Sequence, residues 1–141
     1  MGFFLDAFLG RTSDLQQWGR RLPSAVVCEL SGDLGLVPVT RKLLPELYQG
    51  VHRWGVEASE RTTVAYVSMG EFGNQSHEEA TLWSGGREVL SGVTLREVLD
   101  YLRDQAGLNL GNQPIDLEKY RGETAAEQWV AAAHRDRSAG A

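Results

Sequence analysis

The sequence predicts an α+β fold, a mainly antiparallel sheet of about five strands packed with helices as a single layer pair or as three layers. Two observations lead there. Extended segments come in adjacent pairs joined by turn residues, Ser31-Gly32-Asp33 and Gly85-Gly86, instead of alternating singly with helices. Helical periodicity is confined to the segments between and after those pairs. With 141 residues, 42% of them hydrophobic and 23% charged, the chain suits one folded domain over 1–141.

The apolar segment 1–12 comes first. Phe3, Phe4, Leu5, Phe8 and Leu9 stand at helical spacing and predict a short helix docked on the body. The sharper reading makes Phe3, Phe4 and Phe8 an exposed patch that contacts a second copy or a larger assembly, with the protein as its structural or adaptor subunit. Asp6 and the lack of a preceding basic region make the segment a poor secretory leader. Ser13, with Gln16 three residues on, reads as an N-cap. Leu15, Trp18 and Leu22 then share one helical face, and Pro23 stops the helix.

Ala25–Leu30 is apolar on both alternations and predicts a strand in the middle of a sheet. Leu34–Val39 completes a hairpin with it, and Pro38 either pushes this second strand to an edge or ends it. Leu43, Leu47, Val51 and Trp54 fall on one face of a helix that starts with Pro45 in its first turn and ends at Gly55. Thr62–Met69, β-branched and apolar on both faces, is the clearest central strand. Glu79–Trp83 and Arg87–Leu90 form a hairpin about Gly85-Gly86. Thr94 and Glu97 make a capping box for a helix with the stripe Leu95, Val98, Leu99 and Leu102, closed by Gly107. Leu108–Pro114 reads as loop and Ile115–Tyr120 as one helical turn. Thr124 and Glu127 open a last helix that carries Trp129, and residues 136–141 are expected to fray.

Charge narrows the function classes. Nineteen Asp and Glu against fourteen Lys and Arg give a net charge of −5 and a pI near 5.2. The basic residues are scattered, so a nucleic-acid partner is not expected. No apolar stretch reaches the ~18 residues of a membrane span. The lone Cys28 sits in the apolar run Ala25-Val26-Val27-Cys28 and reads as a buried small hydrophobe. A chain that cannot form an internal disulfide fits a reducing cytoplasm. There is no phosphate loop, no Gly-x-Gly-x-x-Gly, no Gly-x-Ser-x-Gly elbow and no His-Glu-x-x-His pattern, so no cofactor or metal is expected.

The most polar segment is Gly70–Glu79, read as a loop because it is too long for a tight turn. As a recognition loop, it offers Glu71, Phe72, Asn74, His77, Glu78 and Glu79 to a protein partner, together with Trp83 at the end of the next strand. The carboxylates would meet basic groups and the aromatics would anchor. As a catalytic loop, it offers His77 as a base oriented by Glu71 or Glu79. A plain solvated connection is the third reading. Trp18, Trp54 and Trp129 belong to predicted helix faces and are expected in the core.

Trp54-Gly55, Val64-Ala65-Tyr66-Val67, Phe72-Gly73, Gln75, Trp83-x-Gly85-Gly86 and Thr124-x-x-Glu127-Gln128-Trp129 resemble a pattern in small uncharacterised bacterial proteins. Those proteins look like the small acidic immunity proteins of bacterial toxin systems, and the resemblance covers roughly residues 54–129. It implies a non-enzymatic cytoplasmic protein that binds and blocks a basic toxin domain. The chain departs from the pattern in carrying His77 and a Glu pair where those proteins have a more Gly-rich run.

Overall fold

A computed structural model describes residues 3–122 and 124–140, with the backbone alone at Phe72 and at 137–140. In order, its elements are β1 (Phe3–Arg11), α1 (Thr12–Gly19), β2 (Cys28–Glu29), β3 (Leu34–Pro38), a 3-10 turn (Leu44–Leu47), α2 (Val51–Ala58), β4 (Thr63–Phe72), β5 (Gln75–Ser84), β6 (Arg87–Val93), α3 (Leu95–Asp104) and α4 (Ala125–Gly140). The six strands form one sheet in the order β2-β3-β1-β4-β5-β6, with every pairing antiparallel. Helices cover both faces, so the α+β architecture is the three-layer form.

The first segment is the main correction. Residues 3–11 are a strand, not a docked helix, and it lies between β3 and β4. An apolar run of this length satisfies either periodicity, and here burial on both faces decided for the strand. Phe3, Leu5, Ala7 and Leu9 enter one core with Val98 and Leu102 of α3 and Trp129 of α4. Phe8 enters a second core with Leu15 and Trp18 of α1 and Trp54 of α2. Phe3 and Phe8 therefore cannot form the assembly surface that the apolar segment was expected to offer. Phe4 alone of the three stays exposed.

Other elements shift for local reasons. α1 begins at Thr12, and the expected Ser13 cap is not used. The Thr12 hydroxyl and amide instead both donate to the Asp33 carbonyl, at 3.0 and 2.8 Å. The strand expected centrally over Ala25–Leu30 is only the two-residue β2 at the sheet edge. Pro38 ends β3 instead of pushing it to an edge. The single helix expected from Pro45 to Trp54 is split by Gly50, whose φ of +91° no helix accommodates. Gly55 lies inside α2 for want of space, since a Cβ there would come to 2.5 Å from the Trp83 ring. Residues 115–120 form turns without a helix. The Thr94–Glu97 capping box is present on α3 as expected. Glu127 accepts the Arg41 amide at 3.0 Å and so ties α4 to the segment after β3. The tail expected to fray continues α4 in its backbone to Gly140, and residue 141 lies outside the described residues.

Both sheet edges are short or irregular. β2 has two residues, and the β5–β6 register shifts at Ala80/Thr81 and again at Leu82/Trp83. No helix among the described residues is long and apolar enough to cross a membrane.

Phe8→Ala should cost about 3–5 kcal/mol, because the emptied site lies against three aromatic-bearing elements that cannot all collapse onto it. Urea unfolding checks this. A loss under about 1 kcal/mol would mean that the second core is loosely packed.

Candidate functional site

Residues 70–79 do not form a loop. β4 and β5 pair without interruption from Thr63↔Ser84 to Phe72↔Gln75, leaving Gly73-Asn74 as a two-residue turn. Gly73 has a φ of +60° at the first turn position, as a type II′ hairpin requires. The polar segment is thus the outer half of a long hairpin. Its side chains alternate between the two faces of the sheet.

Register sorts the expected site residues. Glu71, Ser76 and Glu78 share a face with Phe3, Leu5 and Met69, the side of α3 and α4. There Arg121 pairs with Glu71 at 3.1 Å, and the first amide of α3, at Leu95, donates to Glu78 at 3.0 Å. His77 and Glu79 point to the opposite face, so Glu71 cannot orient His77. Asn74 occupies the turn, exposed. The side chain of Phe72 lies outside the described residues. Trp83, expected at the edge of a partner surface, is 1% exposed and packs edge-on to His52 at 5.7 Å. It belongs to the core.

The face carrying His77 and Glu79 is only partly covered. Cross-strand rows run over β1, β4 and β5. Gly10–Val64–Trp83 and Phe8–Tyr66–Thr81 lie nearest α1 and α2, followed outward by Asp6–Ser68–Glu79 and Phe4–Gly70–His77. Phe8 meets Trp18 at 4.9 Å and Tyr66 at 5.2 Å, so the aromatic core ends at Tyr66, which is half-buried. Beyond it Asp6, His77 and Glu79 are exposed, and Phe4 keeps 42% of its surface in water. This outer half-face is the candidate site.

Its geometry follows from two small residues. At Gly70 a Cβ would lie 2.8 Å from Phe4 and 3.2 Å from the His77 ring, so both rings lean over the glycine. Ser68 leaves low ground between the carboxylates of Asp6 and Glu79. Among the described residues neither of those carboxylates forms an ion pair, whereas Asp14, Asp33, Glu57 and Asp100 all do. Burial first, and then the nearby Asp6 carboxylate, hold the Tyr66 phenol far above its ordinary range, so it keeps its proton as a donor.

Ser68 Oγ and His77 Nε2 lie 3.4 Å apart, with both groups in solvent. That distance is long for a nucleophile and its base, and exposed surface provides no dry cavity for charge to develop in. No group of three or more His, Cys, Asp or Glu is gathered for a metal among the described residues. Two clefts flank α4. One, of about 510 Å³, is lined by Glu29, Lys119, Tyr120 and Trp129 beside Cys28, whose buried thiol donates to the Trp129 carbonyl at 3.5 Å. The other, of about 490 Å³, is lined by Val26, Lys42, Val130 and His134. Comparison with protein-family models, curated proteins and solved structures finds no match to this chain.

Residues 70–79 stand out in the sequence, but their neighbours in space do not. Asp6, Tyr66 and Ser68 were missed because they come from strands read as core or as helix, and Phe4 was named only as part of the apolar N-terminal patch. The pairing of β1 with β4, which no local signal announces, brings them beside His77 and Glu79.

The Tyr66 phenol gives a pH prediction. In the unfolded chain it ionises near pH ~10, while the folded protein holds the proton to higher pH. Stability is therefore complete below about pH 10 and falls as pH rises above it. Tyr66→Phe should retain more of its neutral-pH stability at about pH 11 than the parent does, as read by urea unfolding at both pH values. Parallel losses in the two proteins would remove Tyr66 from the account.

Proposed function

We propose that the protein is a non-enzymatic binding module, an immunity-type protein that docks on a basic bacterial toxin domain in the cytoplasm and blocks it. One observation carries the reading. The outer half of one sheet face is bare: beyond the core aromatics it carries the carboxylates of Asp6 and Glu79, which form no ion pair among the described residues, and outside them an exposed Phe4. An apolar anchor beside charge suits protein recognition, and the two exposed carboxylates have opposite charge to offer a basic surface. The net charge of −5 would speed that encounter. The resemblance over residues 54–129 favours an immunity role over other kinds of binding.

The tagged protein captured from its native lysate should retain one stoichiometric protein. That protein should arrest growth when expressed alone and not when co-expressed with this chain. Affinity between the purified pair should fall roughly tenfold or more between low and physiological salt. Asp6→Asn with Glu79→Gln should weaken binding far more than Glu71→Gln with Glu78→Gln, whose carboxylates already have partners on the other face. Recovery of the bait alone, or a partner indifferent to both salt and these substitutions, would sink the reading.

A further inference from the structure

We infer that the half-face recognises an arginine side chain of its partner, seated over Ser68 between Asp6 and Glu79. This rests on the binding reading above and names the chemistry of that same surface. Asp6, Ser68 and Glu79 are directly opposed on three adjacent strands. The two acidic residues are thus about two strand spacings apart, ~10 Å between backbones. Both carboxylates stand on one side of the sheet, and the ground between them holds the Ser68 hydroxyl with the His77 ring nitrogen 3.4 Å from it. Two carboxylates flanking a small residue suit the planar fork of a guanidinium, which offers five donors in fixed directions.

The walls agree with that occupant. On one side stand the Phe4 and His77 rings leaning over Gly70. On the other stands Tyr66, whose phenol keeps its proton and can donate but whose ring also gives an apolar edge. A guanidinium stacks on aromatic faces and is weakly hydrated, whereas an ammonium is a compact and strongly hydrated charge. An arginine thus uses both the carboxylates and the rings, and a lysine uses chiefly the carboxylates.

Charge rules out the other occupants of a bare sheet face. A nucleic acid or an anionic membrane would bring phosphates against Asp6 and Glu79. A second copy docked face to face about a two-fold axis would bring the same two carboxylates against themselves. A basic protein segment is the partner that lowers the energy of this surface.

The test is a titration of the isotope-labelled full chain with acetyl-Gly-Arg-Gly-Arg-Gly-amide, followed by amide and side-chain NMR shifts, with the lysine counterpart as comparison. Shifts should concentrate on residues 4–6, 66–70 and 77–79, and the arginine peptide should bind about fivefold more tightly than the lysine one. Asp6→Asn with Glu79→Gln should weaken it about tenfold or more. Ser68→Leu, which fills the low ground without changing charge, should do the same while the rest of the spectrum stays in place. Equal response to both peptides, or shifts scattered over the surface, would overturn the inference. If the peptides fail while a captured protein partner is still lost on Phe4→Ala, the binding reading stands and the arginine seat falls. If no partner depends on Phe4 either, both fall together.

Discussion

Strand β1 has to satisfy two cores at once, and the rest of the molecule is arranged around that demand. Its odd-numbered residues Phe3, Leu5, Ala7 and Leu9 belong to the core under α3 and α4, and Phe8 belongs to the core under α1 and α2. A strand with apolar groups on both sides is stable only between other strands and beneath helices on both faces. β3 and β4 therefore flank it, and the chain must return from each side to pair with it. The three-layer form follows from this one strand more than from any helix.

The two faces are not covered equally, and simple lengths explain why. α1 and α2 have eight residues each, or about 12 Å apiece, against ten-residue strands β4 and β5 of about 34 Å. Two such helices shield the end of the face where Trp18, Trp54 and Trp83 gather and stop near Tyr66. On the other face the hairpin tip finds partners of its own, through Arg121 on Glu71 and the α3 amide on Glu78. These exposed contacts are individually weak. Together they leave that side of the hairpin occupied and the Asp6–Glu79 side open.

What could be read from the sequence divides along the same line. Local chemistry was legible: the Thr94–Glu97 box and the Gly85-Gly86 turn with both glycines at positive φ stand where spacing put them, and Leu15, Trp18 and Leu22 are buried together although α1 ends at Gly19, before Leu22. β1 was misread because Phe4, Leu5, Phe8 and Leu9 fit helical spacing equally well, and only its neighbours broke the tie. The 70–79 hairpin was misread because Gln75–Glu79 is polar on both alternations, which hides the strand period. The Gly73-Asn74 pair was the available signal and was outweighed by that polarity. Trp83 was misplaced for a further reason: the space it fills exists only because Gly55, far along the chain, has no side chain.

The irregular borders of the sheet bear on how this protein can be recognised. A two-residue β2 and a twice-bulged β6 present no long straight row of free amides and carbonyls. Such borders resist strand-by-strand extension, whether by copies of the same chain or by an extended peptide. Main-chain pairing is largely indifferent to the side chains of the incoming strand, so suppressing it removes an indiscriminate route to association. Selectivity is then left to side-chain shape and charge on the broad surface of the sheet, where a single exchanged residue on either molecule can separate a matching pair from a mismatched one.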